Sequence, residues 1–236
     1  MVIRSNFGID HYSSFINAMT KTFHSDIVNN DIAKTTLSHN NETNWTWSNT
    51  ANYNFRLADK HDFTVLLGTE MSKQSVIDFS AYSEEYTLED KDYMWPNAAT
   101  GTMRNSGAKV GYRLASFFGK VNYNWDDLLL ASFTIRHDGS SRFGAGNKWA
   151  GFPSVGLAWR INEESFVKDL GVFYNLKLRF GYGRSGNTAI PSYRSLSTIA
   201  SSFYPMYGSD LSYGASIDRP ANPSLRWETT DMVNLG

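Results

Sequence analysis

The residues whose types and spacing could do chemistry are few in this chain. G-Y-G-R-S-G, Gly181 to Gly186, has the spacing of a loop that cradles a dinucleotide pyrophosphate, but such a loop must open a helix, and N-T-A-I-P-S follows it. These glycines read instead as a strand end where backbone or another domain comes close. The five histidines, His11, His24, His39, His61 and His137, show no H-E-x-x-H or other ligand spacing and are expected in solvated loops or at strand ends. E-E-Y-T-L-E-D-K-D, Glu84 to Asp92, lacks the glycine turn of a calcium loop and is expected as a solvated loop. Ser140 and Ser141 in D-G-S-S-R-F-G are not in a G-x-S-x-G elbow, and the sequons at Asn41 and Asn44 carry little without a eukaryotic secretory context. The expectation is no catalytic residue, no metal site and no cofactor.

What remains is a set of polar and charged side chains at every second position. Ser132, Thr134 and Arg136 interleave with Leu129, Ala131, Phe133 and Ile135; Lys177, Arg179 and Gly181 interleave with Leu176, Leu178, Phe180 and Tyr182. Two more segments repeat the pattern, Phe63, Val65, Leu67 and Met71 against Thr64, Gly68 and Glu70, and Ala115, Phe117, Val121, Tyr123 and Trp125 against Ser116, Lys120, Asn122 and Asn124. A period of two repeated this often predicts antiparallel strands, each with two faces in different surroundings. The clearest case is Trp45 to Leu57, W-T-W-S-N-T-A-N-Y-N-F-R-L, with rings and aliphatics on one face and Thr, Ser, Asn and Arg on the other.

The elements that carry this pattern are predicted as eight strands, rising from Ile3, descending through Trp45, rising from Phe63, descending to Trp125, rising from Leu128, descending to Arg160, rising from Tyr174 and descending from Trp227. Ala58 to His61 and Asp126 to Asp127 are short connections. Gln74 to Asn105, Gly139 to Lys148 and Gly186 to Arg226 read as long, polar and irregular, and every short connection is expected on one side with every long one on the other. Outer-membrane barrels have this asymmetry. Helical signal is confined to a possible turn in Asn162 to Leu170.

Composition narrows the surroundings. The 236 residues carry 22 basic and 23 acidic side chains, a net charge of -1, so no positive field invites nucleic acid. Cysteine is absent, which excludes disulfides and thiolate metal sites. Aromatics reach 15%, and they gather at both strand ends: Tyr53, Phe55, Phe63, Tyr123, Trp125, Trp159 and Tyr174 near short turns; Trp45, Trp47, Trp149 and Tyr182 near long loops. Membrane interfaces select rings at these two levels. A strand of 13 residues, the length of Trp45–Leu57, at about 3.3 Å each and a tilt near 45° crosses roughly 30 Å. The ring face is therefore assigned to lipid and the polar face to a wet interior, where Arg136, Lys177 and Arg179 are candidate lumen-facing substrate contacts. Leu66, Leu114 and Phe118 fall on that interior face and would suit a lumen filled by something apolar.

The chain start, M-V-I-R-S-N-F-G-I-D, has no signal-peptide pattern, and no run approaches the roughly 20 apolar residues of a membrane helix. Alone these absences favour a cytosolic protein; an internal piece of a longer chain would show them too. Half-buried strands of a soluble sandwich or solenoid also alternate. A soluble all-β binding module and a complete small barrel, an adhesin or membrane enzyme, therefore stand beside a larger barrel.

The run L-A-S-F-F-G-K-V-N-Y-N-W-D-D-L-L-L-A-S-F-T-I-R-H-D-G-S-S-R-F-G-A-G-N-K-W-A-G-F-P-S-V-G-L-A-W-R-I-N-E-E, Leu114 to Glu164, closely resembles the barrel of SusC/RagA-family TonB-dependent transporters. Leu176 to Asn187, L-K-L-R-F-G-Y-G-R-S-G-N, and Asn222 to Gly236, N-P-S-L-R-W-E-T-T-D-M-V-N-L-G, extend the resemblance, with weaker similarity in F-G-I-D at Phe7 and V-L-L-G-T-E at Val65. It implies an all-β fold: residues 1–236 as about eight antiparallel strands of a 22-stranded transmembrane barrel. It also implies a Gram-negative outer membrane, a plug through which TonB acts, a SusD-like lipoprotein lid, and import of oligosaccharide or peptide, with no enzymatic step. Signal, plug and TonB box are not found in the sequence, and V-N-L-G lacks a terminal aromatic, so a barrel fragment is expected.

Overall fold

The computed structural model of the chain describes residues 1–205 and 211–236. Its strands are β1 (Val2–Thr20), β2 (Lys34–Leu57), β3 (His61–Glu84), β4 (Met103–Trp125), β5 (Leu129–Ser140), β6 (Trp149–Arg160), β7 (Lys177–Asn187), β8 (Thr198–Pro205), β9 (Leu211–Arg219) and β10 (Glu228–Leu235), with a short α-helix, α1 (Ser165–Lys168). Eight of them form one sheet in the order β1-β2-β3-β4-β5-β6-β7-β10, while β8 and β9 pair as a separate hairpin. The ladders from β4 to β5, β6, β7 and β10 are antiparallel. The sheet is open, with β1 and β10 each having one neighbour. The eight predicted strands and their directions are those of this sheet, and among the described residues no helix is long and apolar enough to cross a membrane.

The tight turns are built from positive backbone angles. Ala58 and Asp59 have φ of 48° and 59°, Asp126 and Asp127 48° and 56°. Lys60 N donates to Leu57 O and Leu128 N to Trp125 O, closing both as type I′ turns, whose twist matches that of the flanking strands. The two turns are joined: Asp126 N donates to Lys60 O at 2.8 Å, and Lys60 Nζ lies 3.2 Å from the Asp126 carboxylate. His61, predicted in the first turn, is instead the first residue of β3.

Three connections depart from the sequence reading. Gln74 to Asn105 is not one irregular loop: β3 runs on to Glu84 and β4 begins at Met103. The ladder continues because main-chain pairing does not need apolar side chains, and the polar run Ser72–Lys73–Gln74–Ser75 erases the alternation that would reveal it. Gly186 to Arg226 holds the last residues of β7 and the β8–β9 hairpin. The rule of alternating lengths fails between β6 and β7, where residues 161–176, at the short-turn end, outnumber the connection 141–148 at the other end. This long connection folds back on its own strand: Glu163 accepts from Arg160 at 3.1 Å and from Lys168 at 2.9 Å, and Trp159 Nε1 donates to Glu164 at 3.1 Å.

The chain divides into two compact units. One comprises residues 1–7, 46–72 and 112–236; the other, residues 8–45 and 73–111. The second has a small core of Ala33, Tyr86, Met94 and Ala99, with Met19 packed against it. It is tied by Glu89, whose carboxylate accepts from Thr22 N and Oγ1 at 2.7 and 2.8 Å. The Glu84 to Asp92 run thus includes a structural anchor. In the first unit, Phe143 and Phe152 are buried, whereas Phe133, Leu157, Leu178, Phe180, Val233 and Leu235 are exposed. A sandwich would cover such a face with a second sheet. The only other sheet among the described residues is two-stranded.

Candidate functional site

Residues directly opposite each other across a ladder share a face, so register decides which side chains stand together. One set of rows links Val121, Phe133, Val155, Tyr182 and Val233, then Tyr123, Ala131, Leu157, Phe180 and Leu235. The alternate rows link Asn122, Ser132, Gly156, Gly181 and Asn234, then Asn124, Leu130, Ala158, Arg179 and Gly236. Phe133, Ile135, Leu178 and Phe180 therefore lie on one face, and Ser132, Arg136, Lys177 and Arg179 on the other.

The apolar face carries two belts of rings. At the short-turn end Tyr53 stacks on Phe55, Phe55 on Phe63, Phe63 meets Tyr123, and His61 lies parallel to Tyr123 and Trp125. At the other end Trp149 stacks with His137 at 5.2 Å and with Phe117 at 6.0 Å. His61 and His137 are thus members of ring stacks, and His61 Nδ1 shares a 2.7 Å hydrogen bond with Tyr123 Oη. Among the described residues no group of three metal-binding side chains occurs. Trp149 and Trp159 bound β6; about 3.3 Å per residue and a tilt of 40–45° put roughly 24 Å of height between them, the height of an outer-membrane apolar band.

The polar face does not bring the three candidate cations together. Arg136 sits opposite Phe152 on β6, whereas Arg179 and Lys177 sit opposite Ala158 and Arg160, roughly 20 to 26 Å further along the strand. Arg136 is also occupied: its guanidinium meets Asp138 at 2.7 Å, Ser116 Oγ at 2.9 Å and Glu70 at 3.4 Å, and covers the Phe118 ring at 5.4 Å. Phe118 reaches over Gly68, where a Cβ would lie 2.3 Å from the ring. The apolar Phe118 on this face is accounted for by a cation above and a glycine beneath. Asp138 is legible as the same-face neighbour of Arg136; Glu70 is not, because its approach depends on the register of β3.

Arg179, Lys177 and Lys120 differ from Arg136. Among the described residues none of their side chains has a hydrogen-bond or ion-pair partner. Lys120, opposite Thr134, went unnoticed as a candidate because its segment reads as ordinary alternation. A concavity of about 780 Å³ opens on this face, lined by Thr64, Asn122, Ser132, Gly156, Arg179 and Asn234 among others. The G-Y-G-R-S-G run lies within β7, as a strand and not as the mouth of a helix.

Two further arrangements are absent from the sequence reading. Arg184 makes a two-pronged pair with Asp231 at 2.7 and 2.9 Å, joined by Tyr182 Oη at 3.0 Å, on the otherwise apolar face. The D-G-S-S-R-F-G and N-P-S-L-R-W runs also form one clasp. Gly144 N donates to Leu225 O, Trp227 Nε1 donates to Lys148 O at 2.9 Å, and the Trp227 ring packs on Phe143 and Phe152. Arg142 lies over the Tyr112 ring at 3.9 Å and donates to Thr188 O at 2.7 Å. The clasp closes where the β6–β7 ladder ends, at Ser154 opposite Gly183. Pro153 follows there and has no N–H to give.

Comparison with known proteins places these features in a family context. The family model described as "TonB dependent receptor-like, beta-barrel" matches residues 4–236. TonB-dependent receptor P26 of Formosa agariphila is 31% identical over 99% of this chain and 24% of its own length. TonB-dependent receptor SusC of Bacteroides thetaiotaomicron is 34% identical over 75% of this chain and 17% of its own. The RagAB peptide transporter structure superposes with a TM-score of 0.86 at 25% identity, covering 99% of this chain and 25% of that one. The chain spans about a quarter or less of the length of these relatives.

Proposed function

The chain belongs to the TonB-dependent receptor-like β-barrel family, and from that premise we propose that its eight-stranded sheet is part of the wall of an outer-membrane transporter of a Gram-negative bacterium. The observation that carries this reading is the segregation of faces: ring belts roughly 24 Å apart on one, amide, hydroxyl and charged side chains on the other. The ring face meets lipid. The polar face lines the path of cargo, and Arg136, Lys177 and Arg179 stand on it. A plug coupled to TonB and a SusD-like lipoprotein complete the transporter, which imports oligosaccharide or peptide. Similarity to the RagAB peptide transporter supports a peptide cargo. The wall segment carries no catalytic step.

The test is uptake. Cells with and without the gene that encodes these strands are supplied with fluorescent oligosaccharides and peptides, with TonB present or deleted. Uptake requires both the gene and TonB; import unchanged by loss of either rejects the proposal. Single cysteines at Phe133 and Phe180 are shielded from a water-soluble reagent in the native membrane, while those at Ser132 and Arg179 label. Equal labelling of both sets rejects the assignment of faces.

A further inference from the structure

We infer that the concavity beside Arg179 recognises carboxylate groups, so that the cargo of this wall is anionic. The inference rests on the polar face being the cargo path. Its basis is which charges that face leaves available. Asp62 is held by Arg56, with Arg56 Nη2 donating at 2.7 Å, and Asp138 and Glu70 are both held by Arg136. At the far end of the face, Glu228 accepts from Asn187. The cations Lys120, Lys177 and Arg179 have no such partners among the described residues. Asp62, Glu70 and Asp138 are each held by a guanidinium, the last two sharing one, whereas Lys120, Lys177 and Arg179 have no acidic partner among the described residues, so the charges left open on this stretch to a passing molecule are cationic.

The geometry of the concavity suits a carboxylate. Arg179 lines it directly, as does Asp62, whose charge Arg56 takes up, and Lys120 stands one same-face position beyond Asn122, on the row of Thr134. Between them Asn122, Ser132 and Asn234 offer amide and hydroxyl donors, and Gly156 and Gly181 project no side chain. A guanidinium grips a carboxylate by two parallel hydrogen bonds, and an ammonium adds a point charge without directional demand. Arg136, already paired twice, takes no part. Carboxylates of this kind occur on sugar acids and on acidic peptides.

The experiment uses the outer-membrane protein that carries these strands, purified in detergent and compared with the K120Q/K177Q/R179Q and R179K variants. Binding of trigalacturonate against maltotriose, and of triglutamate against trialanine, is measured by calorimetry at low and high salt. The wild-type protein binds at least one charged probe about tenfold or more tighter than its neutral counterpart at low salt, a factor that one charge-assisted hydrogen bond supplies. Salt and the triple variant abolish the preference; R179K retains part of it. Preference within the sugar pair alone assigns the site to acidic saccharides, and within the peptide pair alone to acidic peptides. No preference in the wild-type protein overturns the inference, as does a triple variant that weakens charged and neutral probes equally. A preserved preference in a protein whose cells take up none of the four probes leaves the recognition site standing and removes the transport reading instead.

Discussion

At the scale of single residues, the clasp makes the sharpest prediction. A Cβ at Gly144 would lie 1.9 Å from Pro223 O, whereas one at Gly146 would meet nothing within 4 Å. Gly144→Ala is expected to destabilise the folded protein by about 1–3 kcal/mol, and Gly146→Ala to leave it unchanged, as read by denaturant unfolding in detergent. The Arg184–Asp231 pair gives a second. Removing either partner strands a charge on the face that carries Phe180, Val233 and Leu235 and is expected to destabilise the protein, while replacing both by leucine costs less than either single change. A double-mutant cycle checks this, and additive losses would refute it. Neither site was legible in the sequence. Gly144 and Pro223 are distant along the chain, and Arg184 and Asp231 meet only through the register of β7 with β10. Parity was legible: that Arg136, Lys177 and Arg179 share a face follows from a period of two. That Arg136 is spent on Asp138 and Glu70 does not.

Elements were legible where their two faces differ. β5, β6 and β7 emerge from alternation to within a few residues, because one face is ring and aliphatic and the other is not. The far half of β3 and the first three residues of β4 were lost because the polar run from Ser72 to Ser75 interrupts the alternation, and β8–β9 because a short hairpin inside a polar stretch has no pattern of its own. The turns test the backbone argument. Ala58 holds a φ of 48° that favours glycine, so Ala58→Gly is expected to stabilise the β2–β3 hairpin by up to about 1 kcal/mol. Unfolding of the two proteins side by side decides it. The β6–β7 connection carries a pH dependence. Lys168, and then Arg160 beside it, hold the Glu163 carboxyl below its ordinary value of 4.5. A depressed folded-state pKa adds stability that is present above the ordinary value and is lost as pH falls through the folded one. Amide-exchange protection over residues 161–170, taken relative to the intrinsic rate at each pH, should therefore fall below about pH 4.5, and Glu163→Gln should remove that fall.

At the scale of the whole chain, the sheet has two single-neighbour strands, β1 and β10, and an uncovered face bearing Leu235 at 77% and Val233 at 66% exposure. Unpaired edges and apolar patches of this kind associate in water. The 236-residue chain produced alone is expected to sediment as aggregate in aqueous buffer and to stay dispersed in detergent; a stable monomer without detergent would contradict the assignment of that face to lipid. The end of the β6–β7 ladder at Ser154 and Gly183 has a mechanical meaning as well. Strands sheared apart resist through the hydrogen bonds loaded together, and β6 shares a shorter ladder with β7 than with β5. Pulling the strands apart therefore meets fewer main-chain hydrogen bonds between β6 and β7 than between β5 and β6. Phe143, Phe152 and Trp227 sit across the unladdered stretch like a rivet, so ring packing takes over where main-chain pairing stops.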